Sequence, residues 1–168
     1  MQNSPYAPGF AEVRAHDQLM RYHRTGSGRP VVVLRTSNDD SLWPELTACL
    51  AVAFRVLTPD VPAGDADMAR WLGGFLEGIG LHRVTVIAAD AFCIPALELV
   101  LLGADQVERL VLVSTGAAAE TALDGTLATS VDGAAVPLLM MRRELPATDA
   151  LPLLMDFLRG RSAAKAMG

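Results

Sequence analysis

Short segments dominated by large apolar residues recur along this sequence. Each is too short for a typical helix, and none shows the strict alternation of a half-buried strand. Strands that are apolar throughout must be covered on both faces, as parallel strands are in α/β proteins. The segments are residues 31–34, 54–57, 84–87, 110–113 and 136–141.

Between most of these segments, apolar residues recur at helical spacing, as in residues 42–50, 68–79 and 94–101, and this spacing predicts that Trp43, Trp71 and Phe75 pack in the core. This alternation predicts an α/β fold with a doubly wound, mostly parallel sheet between two layers of helices. Residues 12–24 alternate polar and apolar side chains around Ala15-His16-Asp17, which predicts an antiparallel hairpin at the edge of the sheet.

The expected domain organisation is one domain over residues 1–168, with the edge hairpin in residues 1–28. Residues 115–135 are almost wholly small or polar, which predicts a mobile loop there. A last helix is expected in residues 150–158, followed by a frayed tail in residues 160–168.

The charge balance excludes one class of partner. The chain of 168 residues has 14 basic and 19 acidic side chains and a formal net charge of -5, so no basic surplus is present to bind nucleic acid or an anionic membrane. Neither a targeting signal nor a span of about 20 apolar residues is evident, which predicts a cytoplasmic protein.

Cysteine and histidine usage argues against metal sites and disulfides. The two cysteines, Cys49 and Cys93, lack the paired spacing of a zinc site and are expected to be reduced thiols. The three histidines, His16, His23 and His82, lie in different segments, so neither a metal nor a cofactor is predicted.

Ligands of open parallel sheets bind beyond the carboxyl ends of the strands. Residues that follow the apolar segments are therefore the candidates for a site. The candidates are Arg35, Ser37, Asp90, Ala91, Phe92, Ser114, Thr115 and Arg142.

Several motifs in the chain resemble those of the α/β-hydrolase fold superfamily, over nearly the full length. Residues 31–34 are followed by Arg35-Thr36 where the family has a His-Gly turn. Residues 54–62 end in Asp60-Val61-Pro62, similar to the family's Asp-x-Pro-Gly. Residues 80–87 look like the strand that leads into the nucleophile elbow, and residues 107–114 look like the next strand.

The elbow itself departs from the family pattern. Residues 88–92 read Ala-Ala-Asp-Ala-Phe instead of G-x-S-x-G, so Asp90 holds the nucleophile position. An aspartate there resembles the dehalogenase and epoxide-hydrolase branches, whose carboxylate attacks carbon to form an ester. No histidine follows the last strand, only Glu144 is near the place of the usual acid, and no cap insertion is present. The resemblance therefore implies a truncated, divergent member without a hydrolytic triad, in which Asp90 and Arg35 are the expected catalytic residues and the other candidates contact the ligand.

Each candidate residue also has a structural interpretation. Asp90 could be the N-cap of a helix over residues 91–102. Arg35 could bind an oxyanion or pair with Asp39, Asp40 or Asp60. Phe92 could line an apolar pocket or pack in the core. Cys93 is interpreted as a small buried residue, Arg142 as an anion contact or a solvated cation, and the amides of Ser37 and Ala91 as an oxyanion hole.

Three functions remain open at this point. The first is a non-hydrolytic enzyme that binds a hydrophobic small molecule and promotes cyclisation, isomerisation or elimination. The second is a binding or scaffold protein without catalysis. The third is a hydrolase with Asp90 as nucleophile and Glu144 or Asp149 as base. The uncovered apolar rim of the expected pocket also predicts a homodimer.

Overall fold

A seven-stranded sheet runs through the part of the chain that the structure describes. The computed structural model describes residues 9–35, 42–62, 67–102, 105–114, 136–142 and 145–160. Its strands are β1 (Gly9–Ala15), β2 (Gln18–Thr25), β3 (Pro30–Leu34), β4 (Arg55–Pro59), β5 (Val84–Ala89), β6 (Val107–Ser114) and β7 (Leu138–Arg142). The helices in these ranges are α1 (Leu42–Ala51), α2 (Met68–Ile79), α3 (Cys93–Leu101) and α4 (Ala147–Leu158).

The order of the strands is β1-β2-β4-β3-β5-β6-β7. The five strands from β4 to β7 are parallel to one another, whereas β2 is antiparallel to both β1 and β4. The predicted fold class is confirmed, including the antiparallel hairpin at the edge. Because the central strands are parallel, their carboxyl ends all lie at one end of the sheet.

The two faces of the sheet carry separate hydrophobic clusters. On one face, Val86 and Ala88 of β5 pack with Phe75 of α2 and Leu97 of α3. The other face holds Ile87 and Ala89 together with side chains of α1 and α4. All six residues of β5 are consequently buried, which is why that stretch of sequence is apolar throughout.

The large aromatic residues predicted to be packing residues are in the core. Trp43, Trp71 and Phe75 are 0%, 7% and 0% exposed. The rings of Trp71 and Phe75 are stacked, with centroids 5.7 Å apart. Apolar spacing along α1 and α2 thus identified their buried faces.

The edge hairpin closes through a two-residue turn at His16 and Asp17. Their φ angles are 48° and 61°, and Ala15 pairs with Gln18 on either side. Two-residue turns with positive φ at both positions match the twist of the strands they connect. The Ala15-His16-Asp17 turn predicted from the sequence is therefore present.

Two elements near the end of the chain begin at other residues than expected. The strand β7 starts at Leu138 instead of residue 136, because Pro137 has no N–H and contributes only a carbonyl, which accepts from Leu110 N at 3.0 Å. The helix α4 starts at Ala147 instead of residue 150. Its first turn includes the polar, exposed Thr148 and Asp149, so it lacks the apolar spacing on which the expectation relied.

Some predicted segments lie outside the described residues. These are residues 1–8, the loop predicted in residues 115–135 and residues 161–168 of the predicted tail. Within the described ranges, no helix has both the length and the apolar character that a bilayer crossing requires.

A substitution pair tests how the β2–β3 connection packs. Gly26 has φ 76°, and a Cβ there would overlap the carbonyl oxygens of Ala51 and Phe54 at the end of α1. Gly80 has a similar φ of 71° with open space around it. We expect Gly80→Ala to lower the free energy of unfolding by about 1 kcal/mol through backbone strain alone. Gly26→Ala should cost at least about 2 kcal/mol more, because overlap with backbone adds to the strain.

Urea unfolding of the two variants measures the difference directly. Equal losses for Gly26→Ala and Gly80→Ala would show that the connection moves away from α1 without cost, contrary to the packing described.

Candidate active site

A sharp turn joins β5 to α3, and Asp90 is its first residue. The strand ends at Ala89, residues Asp90–Phe92 form one turn of 3-10 helix, and α3 begins at Cys93. Asp90 has φ 48°, in the left-handed region, and is half-buried. For a residue with a Cβ this conformation costs about 1 kcal/mol or more, although aspartate tolerates it better than most. A strained strand-turn-helix of this kind is the geometry of a nucleophile elbow.

The same turn decides where the helix begins. The N-cap residue of α3 is Phe92, which makes no side-chain capping bond. The backbone N–H of Cys93 donates to the backbone carbonyl of Asp90. Asp90 thus lies two residues before the N-cap position of α3, and the helix does not start at residue 91 as the cap interpretation supposed.

Arg35 lies beside this turn, directly after the neighbouring strand β3. Leu34 pairs with Ala88 in the parallel β3–β5 register, so Arg35 continues the chain at the level of Ala89, one residue from Asp90. The guanidinium is half-buried, and its Nε is buried without a hydrogen-bond partner among the described residues. A buried N–H with no acceptor carries a desolvation cost of about 1–3 kcal/mol. An acceptor supplied by a ligand would remove that cost.

Of the three ion-pair partners considered for Arg35, only Asp60 lies among the described residues. Asp60 is described and exposed, and no ion pair joins it to Arg35 there. Asp39 and Asp40 lie outside the described residues.

Cys93 lies directly below the turn and is almost fully buried. Its Sγ donates to the carbonyl oxygens of Ala88 at 3.4 Å and Val113 at 3.6 Å, which links the ends of β5 and β6 to α3. Burial, and after it the negative charge of Asp90, raises the pKa of this thiol to about 11, against the lowering effect of the bond to Val113. A thiol with this pKa is not a nucleophile at neutral pH.

The remaining predicted residues gather at the same end of the sheet as far as they are described. Ala91 is exposed, and Phe92 is buried in the core cluster of α2 and α3. Ser114 ends β6 and pairs in register with Arg142, which ends β7. The side chains of these two residues are not among the parts of the chain that the structure describes. Ser37 and Thr115 lie outside the described residues altogether.

The three histidines of the chain are located elsewhere. His16 packs over Gly74 on α2, with its Nε2 at 4.0 Å from Glu77 Oε2. His23 contacts the ring of Phe10 on the hairpin, with centroids 5.2 Å apart. His82 precedes β5 and therefore lies at the opposite end of that strand from Asp90.

One polar group near the turn was not anticipated from the sequence. Trp43 packs in the cluster that also contains Ala89 and Val113, and its indole Nε1 is buried without a partner among the described residues. Apolar spacing identified Trp43 as a packing residue, but no sequence pattern indicates whether a buried indole N–H has an acceptor.

Two grooves among the described residues lie away from this turn. One of about 440 Å³ lies on the outer faces of α2 and α3 and is lined by residues such as Arg70, Leu99 and Gln106. A second, of about 380 Å³, adjoins it at Gln18 and Trp71. Both are open, and neither contains a residue predicted for the site. Within the described ranges, no group of three or more potential ligands for a metal ion was found.

Comparison with known proteins identifies the fold. No protein-family model matches the chain, and no curated protein matches it. Among solved structures, a serine hydrolase involved in carbazole degradation superposes with a TM-score of 0.57 at 22% identity, over 68% of this chain and 51% of its own. A bacterial membrane phospholipase A gives 0.56 at 19%, over 65% and 40%. An epoxide hydrolase from Vigna radiata gives 0.53 at 19%, over 64% and 40%.

These structures share an α/β-hydrolase fold with this chain, which confirms the fold that the sequence motifs predicted. At this level of identity the likeness concerns the fold alone. The chain spans about two-fifths to one-half of the length of these three structures.

The buried thiol gives a test of the geometry around the turn. Cys49 is exposed and Cys93 is buried. Iodoacetamide at pH 8 should therefore modify Cys49 in the native protein and Cys93 only after unfolding, as peptide mass spectrometry would measure. Equal labelling of both thiols in native protein would contradict the packing of Cys93.

The same pKa predicts a dependence of stability on pH. The pKa of Cys93 rises from an ordinary 9.0 to about 11 on folding, so the unfolded chain loses this proton first. The neutral thiol makes its full contribution to the free energy of unfolding below pH 9, and this contribution is lost as the pH rises towards 11. Cys93→Ala, with Cys49→Ala as control, should flatten the alkaline fall in the free energy of unfolding; a fall unchanged by Cys93→Ala would contradict the assignment.

Proposed function

Because the chain has the α/β-hydrolase fold but no histidine beside its elbow, we propose that it is a non-hydrolytic enzyme. It binds a hydrophobic small molecule at the carboxyl ends of the strands and promotes cyclisation, isomerisation or elimination, as part of a biosynthetic pathway. The observation that carries this proposal is the left-handed Asp90 beside the half-buried Arg35, whose Nε has no partner among the described residues.

Hydrolysis through a covalent ester needs an activated water. The base that activates water must lie within hydrogen-bond reach of it, and histidine fills this role in the α/β-hydrolase triad. His16 and His23 lie in the edge hairpin, where His16 packs over α2, and His82 lies at the far end of β5. Reactions that move a proton within a bound substrate need no such water.

In the proposed chemistry, Asp90 exchanges a proton with the substrate. As a carboxylate it accepts the proton from a carbon or a hydroxyl, and as the acid it returns that proton to another position or to a leaving group. Arg35 binds the oxygen on which negative charge develops, and the backbone amides of Ala91 and Ser37 donate to the same oxygen. Substrate placement supplies much of the rate enhancement in such a reaction.

The apolar surroundings of the turn favour a hydrophobic ligand. Ala89 and Val113 are 1% and 3% exposed at the ends of β5 and β6. Among the described residues at the ends of β5 and β6, few polar groups are available beyond Asp90, Arg35 and backbone amides, so apolar contact would supply most of the binding free energy there. No cofactor is part of the proposal.

A binding or scaffold protein is the first alternative. It uses the same end of the sheet but requires no proton transfer, so Asp90 and Arg35 would contribute to affinity only. Purified protein would then release its ligand unchanged.

A hydrolase with Asp90 as nucleophile is the second alternative, which the solved epoxide hydrolases of this fold favour. Its base would be Glu144, which lies outside the described residues, or Asp149, which is exposed in the first turn of α4. This alternative ranks last, because other residues would have to replace both the histidine and the usual acid of the triad.

The decisive experiment begins with native mass spectrometry of freshly purified protein, to identify a retained small molecule. Turnover of that molecule is then measured in Asp90→Asn and Arg35→Gln. Asparagine adopts left-handed backbone readily, so Asp90→Asn should melt within a few degrees of the wild type while turnover falls by about 100-fold or more. Asp105→Asn, an exposed acid near the start of β6, is the matched control and should keep full activity.

The alternatives give other results in the same experiment. Full turnover by Asp90→Asn would exclude the proposed role of that carboxylate. A ligand recovered unchanged by every variant would identify a binding protein. Heavy oxygen from labelled water in the Asp90 carboxylate after one turnover would identify the hydrolase, whereas an active preparation without the label excludes it.

The proposal includes a homodimer formed through the open edge of β7. Pro137 directs its carbonyl to β6, so the alternating backbone of the strand directs the amides and carbonyls of Leu138, Met140 and Arg142 away from the sheet. These groups have no strand partner among the described residues, and residues 138–141 carry no charge. Unprotected edges of this kind pair with another strand.

The opposite edge of the sheet is better protected, because β1 carries the exposed charges of Glu12 and Arg14. Pairing two β7 strands antiparallel, with Met140 opposite its symmetry mate, gives a closed two-fold dimer. The prediction is a dimeric mass by light scattering at micromolar concentration. Met140→Lys should give a monomer and the control Val52→Lys a dimer; a monomeric wild type would exclude the arrangement.

The two cysteines are free in the structure. Reduced thiols fit the reducing cytoplasm, which stays a prediction from the sequence.

A further inference from the structure

Three arginines surround one glutamate at the amino ends of the central strands. Arg29 Nη2 lies 2.8 Å from Glu108 Oε2, Arg83 Nη2 lies 3.7 Å from Glu108 Oε1, and Arg109 Nη1 lies 3.6 Å from the same oxygen. We call these three arginines and Glu108 the arginine cluster. None of these residues belongs to the candidate active site.

Sheet topology brings together arginines that are far apart in the sequence. Arg29 directly precedes β3, Arg83 directly precedes β5, and Arg109 lies near the start of β6. These strands are neighbours, and β5 pairs with both β3 and β6. The register shifts so that Val84 pairs with Val107 but Thr85 pairs with Arg109, which leaves Glu108 as the extra residue of a bulge. Bulges of this kind change the direction in which the local side chains point.

The cluster has more positive charge than its one carboxylate can neutralise. Three guanidinium groups, which are always protonated, share Glu108, so a charge of about +2 remains. Asp105 is the nearest acidic residue along the chain, and it makes no ion pair with these arginines in the described ranges. The cluster therefore has an excess of positive charge, although the whole chain has a formal net charge of -5.

The exposed guanidinium groups of the cluster have N–H donors available for a further acceptor. Arg109 is only 18% exposed, and its Nη1 makes no hydrogen bond to any described residue. Arg29 and Arg83 are 62% and 78% exposed, so their guanidinium groups reach solvent. The two exposed arginines therefore present N–H donors to solvent beside Glu108, and the largely buried Arg109 adds positive charge next to them.

A structural role explains only part of this arrangement. Gly160 follows the end of α4, and Arg109 Nη2 lies beside it, so this cation offsets the negative end of the helix dipole. That role needs neither Arg29 nor Arg83. Paired exposed charges contribute little to stability, typically about 0–1 kcal/mol.

We propose that the arginine cluster is a binding site for a compact anion bearing phosphate groups, with Glu108 as its internal competitor. Guanidinium groups match phosphate oxygens in bidentate geometry and remain charged at every physiological pH. The six residues of β5 separate this site from Asp90 by about 20 Å, so it is distinct from the candidate active site.

The test is isothermal titration of the full chain with inorganic diphosphate at low ionic strength. We expect one saturable site. The double variant Arg29→Gln/Arg83→Gln should weaken it by at least tenfold, because two of the three guanidinium groups are lost. The matched control is Arg14→Gln/Arg70→Gln, which removes two exposed arginines elsewhere and changes the net charge equally; it should bind as the wild type does.

Glu108→Gln distinguishes a ligand site from a structural ion pair. Removing the competing carboxylate should tighten diphosphate binding several-fold while it lowers the melting temperature, whereas a structural network would lose stability without any gain in affinity. If Glu108→Gln does not fold, the two double variants decide the question alone.

A second arm identifies the source of the phosphate. Sedimentation with phosphatidylcholine vesicles that contain phosphatidic acid tests a lipid headgroup, and the titration tests a free anion. Binding in either arm that is lost in Arg29→Gln/Arg83→Gln and kept in the control supports the site. No saturable binding in both arms, or equal loss in both double variants, would overturn the proposal.

Discussion

Burial of β5 on both faces is the constraint from which the rest of the site follows. Its alternate residues pack against α2 and α3 on one side and α1 and α4 on the other, so neither face is available to a loop. The chain must leave the strand and run back along the sheet as α3 within the three residues Asp90–Phe92. A turn this short forces Asp90 into left-handed backbone. The position of the candidate carboxylate is therefore a consequence of how the central strand is covered.

Sequence patterns predicted the features that depend on local composition. The apolar stretch of residues 84–87 identified β5, and the motif around Asp90 identified the turn that follows it. The first residue of α3 could not be derived, because an aspartate before a helix is as typical of an N-cap as of an elbow. The arginine cluster could not be derived either, since strand register and the bulge at Glu108 are not visible in local sequence.

The two ends of the sheet have opposite chemical character. At the carboxyl ends, Asp90 lies among apolar residues with Arg35 beside it, and its charge is strong enough to raise the pKa of the buried Cys93. At the amino ends, arginines outnumber the acidic group that they contact. The parallel strands hold both arrangements rigidly in place, because every strand from β4 to β7 is paired to its neighbour. Any effect of one end on the other would therefore have to pass through packed strands.

The carboxylate at position 90 is not something that the fold itself requires. The turn requires positive φ, and glycine adopts that conformation without the strain that an aspartate incurs. The carboxylate also opposes ionisation of Cys93 and shares its surroundings with a buried Arg35 Nε that lacks an acceptor among the described residues. The proposed ligand site rests on this combination of a carboxylate that the backbone does not require and a nearby Arg35 donor at the end of a buried strand.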